Sequence, residues 1–296
     1  VTGVYFPDLE SPRRTIGGRA FDFDRAVAVM AIVNRTPDSF HDRGRTFALP
    51  NAIEAVEAAV AAGADLVDVG GQPFAPGPEL PVETELARVL PVIEAARERT
   101  DAVLSVDTYR PEVAERAIGA GAGMVNDTSG LRDPRLAEVV ADSAATLVVT
   151  HSLAAPRTPY PRPTYGDVVA EVADFLRRRV DVALERGVPP ERLVIDPGHD
   201  LNKNTYHSLE LTRRLPELAA LGQPVLVAVS NKDFIGETLD APRGERGDGT
   251  TAAVAICVLL GARIVRVHDV AAAVAATRLT EAVLGLRPPA TAGHNL

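Results

Sequence analysis

DAVLSVDTYRPEVAERAIGAGAGMVND, residues 101–127, holds the unit that decides the fold. An apolar run, VLSVD, ends on Asp107. Pro111 then marks a helix start, because its missing N–H is not needed in a first turn. Gly121 follows the helix, where a residue without Cβ is favoured. A second apolar run, MVND, ends on Asn126 and Asp127. The same order of strand, loop and helix recurs from Ala26 onward. The other runs are VAVMAIVN to Asn34, LVDVG to Gly70, TLVVTH to His151, LVID to Asp196, VLVAVS to Ser230 and IVRVH to His268. Runs such as LVDV and IVRV are nearly continuous apolar, as strands buried on both faces of a parallel sheet require. Eight such units predict an α/β chain folded as a (β/α)8 TIM barrel. The strand C-termini of a barrel share one face, so the polar run ends should form one ring there.

Helical patterns lie at Asn51–Ala62, Val82–Arg99, Pro111–Ala120, Asp133–Ala141, Gly166–Arg186, Asn204–Leu215, Gly249–Leu260 and Ala271–Leu284. RTIGGRAFDF reads as a short N-terminal hairpin turning at Gly17-Gly18 and able to cover the barrel's bottom. Residues 1–14 read as a flexible arm, 15–286 as one barrel domain and 287–296 as a frayed tail. Three connections run long: Arg35–Pro50, Gly71–Pro81 and Ser152–Tyr165. All follow strands, so all belong to the C-terminal face, where loops carry chemistry.

The chain has 296 residues, a length that suits one such barrel. Its 31 Lys and Arg against 40 Asp and Glu leave a net charge of −9. That charge disfavours bulk binding to nucleic acid or an anionic membrane, so any anion needs a local basic pocket. Cys257 is the single cysteine, which excludes an intrachain disulfide and fits a reducing cytoplasm. It lies in a buried-looking helix and reads as a small core side chain. That longest apolar run is too short to span a bilayer. The N-terminal stretch lacks the basic start and apolar core of a signal peptide.

Asp107, Asn126 and Asp196 close three different strands. Two carboxylates and an amide converging on a barrel mouth suit a heterocycle with an N–C–N edge, which offers paired donors to a carboxylate. Lys232, Arg266 and His268 belong to the last two strand ends, where TIM barrels often bind phosphate. Period-two alternation in RVHD sends Arg266 and His268 to one side. They suit a diphosphate, and equally a metal-bound carboxylate. Asn34 can offer oxygen to a divalent ion or its NH2 to phosphate, or can simply shape an Asx-turn. His151, His199 and His207 lack the spacing of a helical metal motif, which argues against a metal hydrolase. His151 ends a strand and can line the pocket.

The ordered motifs MAIVNRTPDSF, GADLVDVGG, LSVDT, GMVNDTSG, VIDPG, VSNKDFIG and GARIVRVHDV resemble dihydropteroate synthase, the pterin-binding barrel of folate biosynthesis. The resemblance spans about Gly17 to Leu284 and is greatest to a divergent second paralogue carried by many actinobacteria. It implies a transferase that joins 6-hydroxymethyl-7,8-dihydropterin diphosphate to 4-aminobenzoate and releases diphosphate. It also implies that Asp107, Asn126, Asp196 and Lys232 hold the pterin, and that Arg266 lies along its ring. Asn34 and His268 would hold the diphosphate, Asn34 together with Mg2+, and Asp107 would stabilise the methylene cation left behind. A homodimer is expected on the same ground. Pterin-dependent methyltransferases share a similar barrel, but VSNKDFIG and RVHDV favour the synthase branch.

Two segments depart from that pattern. The family's G-G-E-S-T-R-P-G reads Gly70-Gly71-Gln72-Pro73-Phe74-Ala75-Pro76-Gly77, so a diphosphate-binding arginine is lost. Arg35 or Arg43 is a candidate to replace it. The family's S-R-K-S reads Ser230-Asn231-Lys232-Asp233, and Leu201 replaces a phenylalanine that packs on the arylamine. Asp233 would stand where the carboxylate of 4-aminobenzoate docks, and like charges about 4 Å apart cost ~1 kcal/mol even in water. The second-substrate site is thus expected to be altered at Phe74, Ala75, Leu201, Asn231 and Asp233. Poor use of 4-aminobenzoate follows. The alternatives are a pterin binder with little or no turnover and an enzyme with a different amine acceptor.

Overall fold

A computed structural model describes residues 4–36, 45–159 and 162–294. The first two strands, β1 (Arg13–Ile16) and β2 (Arg19–Asp22), pair antiparallel as the expected hairpin. Ile16 pairs with Arg19, so Gly17 and Gly18 form a two-residue turn, and both have positive φ (55° and 83°). Glycine reaches that region without strain, and the resulting twist matches the flanking strands.

Eight parallel strands follow and close into a barrel: β3 (Ala28–Asn34), β4 (Leu66–Gly70), β5 (Val103–Asp107), β6 (Met124–Asp127), β7 (Thr146–Thr150), β8 (Leu193–Asp196), β9 (Val225–Val227) and β10 (Ala262–Val267). β10 pairs with β3 and closes the ring. Their register puts the sequence's polar run ends at common heights. Asn34 lies opposite Gly70, Gly70 opposite Asp107, and Asp107 opposite Asn126. Thr150 lies opposite Asp196.

The helices are α1 (Leu49–Ala61), α2 (Val82–Arg97), α3 (Pro111–Ala120), α4 (Arg135–Ala141), α5 (Val168–Glu185), α6 (Thr205–Arg213), α7 (Leu215–Ala219), α8 (Asp233–Leu239), α9 (Gly247–Leu259) and α10 (Val270–Val283). α3 has the expected bounds, and the others differ at their ends for local reasons. Asp167 and Asp269 accept from first-turn N–H groups, so α5 and α10 begin after them. The helix expected over Asn204–Leu215 stops at Arg213, and a short α7 restarts with a proline, Pro216, in its first turn. α8 was not among the helical ranges given above.

Two apolar layers hold the molecule. The outer one lies between barrel and helices and includes Cys257, whose burial pushes its thiol up to about 12. The inner one fills the barrel's lower end. Ile16 and Phe23 pack there with Met30, Leu66, Val103, Met124, Val148, Val194, Leu226 and Ile264. The hairpin therefore plugs the bottom, as expected. A Cβ on Gly123 would lie 2.3 Å from the Gly17 Cα, so this close approach requires glycine. Three hydrogen bonds join residues 4–14 to the rest of the chain: Tyr5 N donates to Leu259 O (3.1 Å), Glu10 N to Gly222 O (3.0 Å) and Arg14 Nη1 to Leu193 O (2.9 Å). Among the described residues no helix is long and apolar enough to cross a membrane.

Candidate active site at the barrel mouth

The bottom plug leaves the C-terminal face as the place where polar strand ends meet. Its centre is a residue that the sequence reading passed over. Asp68, in the middle of β4, is fully buried. Ser105 Oγ donates to Asp68 Oδ1 (2.6 Å), while Asn126 Nδ2 (2.9 Å) and Arg266 Nε (2.7 Å) donate to Oδ2. Arg266 Nη2 also donates to Asp107 Oδ2 at 3.0 Å. Arg266 is thus held flat between carboxylates from two strands. Burial works against its charge, but Asp68 and Asp107 more than offset this and raise its pKa. The sequence signal for Asp68 was a charged residue inside an otherwise apolar strand.

Asp107, Asn126, Asp196 and Arg266 are brought together as expected. Burial pushes Asp107 up to about 7, against the opposing pull of Arg266. Burial also raises Asp196, and the Gly198 N–H, Lys232 and Arg266 oppose it. Gly198 N donates to Asp196 Oδ1 (2.7 Å), which orients that carboxylate. Asn126 Oδ1 is buried with no hydrogen-bond partner in the protein. An orphaned acceptor beside two carboxylates can be satisfied by a ligand donor. Asp127, next to Asn126, is structural: it accepts from Ser129 N (2.7 Å) and Leu131 N (2.5 Å).

The anion half gathers as well. Asn34 and His268 border one cavity of about 450 Å3, which extends between β3, α1 and α10. His268 Nδ1 meets Ser230 Oγ at 2.9 Å, and His268 N donates to the same oxygen at 3.2 Å. Gly70 has to be small here, because a Cβ on it would lie 2.8 Å from Asn34 Oδ1. Lys232 stands at the N-cap position of α8 without a side-chain capping bond. Among the described residues no cluster of three or more His, Cys, Asp or Glu could hold a metal. A Mg2+ carried mostly by water and substrate phosphates needs only one or two protein oxygens, and the Asn34 amide fits that role. A larger open hollow of about 970 Å3 lies beside the hairpin at the other end and contains none of these residues.

The altered segments look different in three dimensions. Asp233 is not a bare anion. Arg246 Nη1 donates to it at 2.8 Å and Arg243 Nη2 lies 3.4 Å away. Burial would raise the Asp233 pKa, but the two arginines outweigh it and lower the value. The charge expected to face an acceptor carboxylate is therefore ion-paired within the protein. Asn231 did remove one cation from the sequence pattern, yet Arg246, whose Nη1 also donates to Asn231 O (2.9 Å), brings another from further along the chain. Leu201 lies in the loop after β8, its N–H donating to Gly198 O at 3.0 Å.

Arg35 is held by backbone carbonyls, donating to Phe47 O (2.7 and 3.0 Å) and Arg88 O (2.8 Å). Arg43 lies outside the described residues. Among the described residues, Arg157 reaches the rewritten loop from the loop after β7, and Arg88 Nη1 donates to Gly71 O (2.9 Å). Arg157 donates to Pro73 O (3.0 Å), to Ala75 O and to Pro78 O (3.0 and 3.2 Å). Gly77 N in turn donates to Arg157 O (3.0 Å), and Arg157 N to Phe74 O (3.2 Å). The loop bearing Phe74 and Ala75 is thereby fastened to a second loop.

Known proteins agree with this geometry. The family model described as pterin binding enzyme matches residues 30–268. "Inactive dihydropteroate synthase 2" of Mycobacterium tuberculosis H37Rv is 47% identical over 93% of this chain and 88% of its own length. The dihydropteroate synthase of Synechocystis is 41% identical over 94% of this chain and 96% of its own. Among solved structures, Xanthomonas albilineans dihydropteroate synthase with 4-aminobenzoic acid superposes with a TM-score of 0.84 at 43% identity, covering 93% of this chain and 98% of that one. A barrel with these strand ends, matched over most of its length, belongs to the pterin binding enzyme family and, within it, to the dihydropteroate synthases.

Proposed function

We propose that the chain binds 6-hydroxymethyl-7,8-dihydropterin diphosphate at the barrel mouth and transfers its pterin methylene to an amine, with 4-aminobenzoate a poor acceptor. The observation that carries this reading is the Asp68–Arg266–Asp107 bridge beside the unsatisfied Asn126 Oδ1. An N–C–N edge donates to Asp196, a ring N–H donates to Asn126 Oδ1, and the planar guanidinium of Arg266 supports the ring face. Lys232 supplies a further contact at the same end. Asn34 and His268 receive the diphosphate. Breaking the methylene C–O bond leaves its electron pair on the departing oxygen and positive charge on the methylene and ring. Asp107, about half ionised at pH 7, stabilises that charge in its carboxylate form. The amine nitrogen then forms the C–N bond and releases a proton. Asn34 would hold Mg2+, which neutralises charge on the leaving group.

Poor use of 4-aminobenzoate rests on the Pro73-Phe74-Ala75 loop and on Leu201, not on a repelling Asp233. A second reading, a pterin binder without turnover, is favoured by the same loop and by the "inactive" name of the M. tuberculosis relative. Both readings take the chain to be a cytoplasmic homodimer. Calorimetry with the dihydropterin diphosphate and Mg2+, with and without 4-aminobenzoate, tests them. Pterin binding with little condensation product is expected. Absence of pterin binding would overturn the assignment, and ordinary synthase turnover would overturn the altered-acceptor part.

A further inference from the structure

Behind the pterin residues lies a buried polar cluster that the proposed chemistry does not use. Lys203, in the loop after β8, is 7% exposed, and its Nζ has three partners. They are His151 Nδ1 at 2.8 Å, Gly198 O at 2.9 Å and Leu201 O at 3.0 Å. His151 directly follows β7 and is itself buried, edge-on to Phe175 with ring centroids 4.7 Å apart. The loop presses on β7 closely: Gly198 has φ +68°, and a Cβ there would lie 2.1 Å from His151 O. His151 N donates back to Asp196 O at 2.9 Å. Gly198 therefore links two partners. Its carbonyl accepts from Lys203, and its N–H orients the Asp196 carboxylate.

We propose that Lys203 is a positioning residue, which clamps the β8 loop to β7 so that Gly198 aims Asp196, and whose protonation state sets the tautomer of His151. The argument is a count of protons. An ammonium has three N–H donors and no lone pair, and three acceptors surround it. His151 Nδ1 must then be a bare acceptor, with the ring proton on Nε2. A neutral amine has two N–H donors, which suit the two carbonyls, and one lone pair, which accepts from a ring N–H on Nδ1. Loss of one proton from Lys203 thus moves the His151 ring proton from Nε2 to Nδ1 through solvent exchange, with the ring neutral throughout.

The electrostatics place this change in an accessible range. Burial lowers Lys203 to about 7, Asp196 from β8 and Asp200 from its own loop oppose that, and Lys232 before α8 adds to it. Burial and Lys203 hold His151 down to about 2, so its ring stays neutral. His199 in the same loop and His207 on α6 are also lowered, by burial first and then by Lys203. None of these imidazoles competes for the proton above pH 6.5.

The clamp's bearing on ligand rests on the pterin reading, so its test has two arms. In the first, 15N-histidine NMR follows His151 from pH 6 to 9 without ligand, assigned with His151→Gln. The tautomer signature should pass from Nε2–H to Nδ1–H with a midpoint near 7. It should not titrate in Lys203→Met, nor in Lys203→Arg, whose guanidinium keeps its proton throughout this range. A single His151 tautomer over the whole range in wild type would overturn the proposal. In the second arm, calorimetry with the dihydropterin diphosphate and Mg2+ compares wild type with both variants. Lys203→Met should weaken binding about tenfold or more, the worth of one hydrogen bond to a charged group, and speed amide exchange over residues 197–203. Unchanged affinity and exchange in Lys203→Met would also overturn it. Failure of wild type to bind the pterin would count against the functional reading alone, because the NMR and exchange results decide the clamp without ligand.

Discussion

Replacing Asp68 by Asn tests the centre of the site while keeping its shape. The carboxylate is fully buried and receives three hydrogen bonds, from Ser105, Asn126 and Arg266. The least costly amide orientation keeps its oxygen towards Asn126 and Arg266 and turns its NH2 to Ser105, whose hydroxyl can reverse and accept. What is lost is the charge. Arg266, with a side chain 14% exposed, is left with Asp107 at 3.0 Å as its remaining ion-pair partner. Removing one partner of a buried ion pair costs about 3–5 kcal/mol, and the surviving Asp107 contact places Asp68→Asn near the lower end, ~3 kcal/mol. For a chain of this size that corresponds to a fall in Tm of about 5 °C. Urea unfolding at neutral pH, followed by circular dichroism, measures it as a drop in midpoint at constant slope. A second readout has its own sign. Asp68 is one of the charges that raise Asp107, so its neutralisation should lower the Asp107 pKa from about 7, visible by 13C NMR of the carboxyl. A stability loss below about 1 kcal/mol, or an Asp107 pKa that does not fall, would refute this account of the network.

Two further perturbations follow. Arg157→Ala removes the donors that hold the carbonyls of Pro73, Ala75 and Pro78, so residues 73–80 should show faster amide exchange and proteolysis while the urea midpoint of the barrel changes little; unchanged exchange would sink the fastening role. His199 is lowered to about 3, by burial first and then by Lys203 and Lys232, so the folded state keeps it neutral while the unfolded chain protonates near 6.5. Its contribution is present above pH 6.5 and is lost as pH falls towards 3. Wild type should therefore lose about 2 kcal/mol more than His199→Gln between pH 7.5 and pH 5, and equal losses in urea unfolding would contradict the burial argument.

The barrel and half of its site were legible in the chain itself. Apolar runs with polar ends, punctuated by Pro111, Gly121 and their counterparts, required parallel strands buried on both faces. The known geometry of barrels then sent Asp107, Asn126, Asp196 and His268 to one mouth. The residues missed share one property. Asp68 went unremarked within LVDVG, because its three partners lie on three other strands and only register brings them to it. Asp233 looked like an unpaired anion, because Arg246 reaches it from beyond α8. Arg35 and Arg43 were the candidates for the missing loop arginine; Arg35 turns to the carbonyls of Phe47 and Arg88, and Arg157 reaches that loop from 82 residues away in sequence.

By itself the sequence determined periodicity, element order and the kind of residue at each strand end, since these depend on backbone preference and side-chain polarity along a local stretch. It also determined where the family pattern breaks, at Pro73-Phe74-Ala75 and at Asn231 and Asp233. Only the tertiary structure decided which charges pair, which carboxylates are raised and which loop holds which. Those outcomes depend on desolvation and on distances of about 3 Å between groups far apart in the chain, where the strength of a charge is set by what surrounds it.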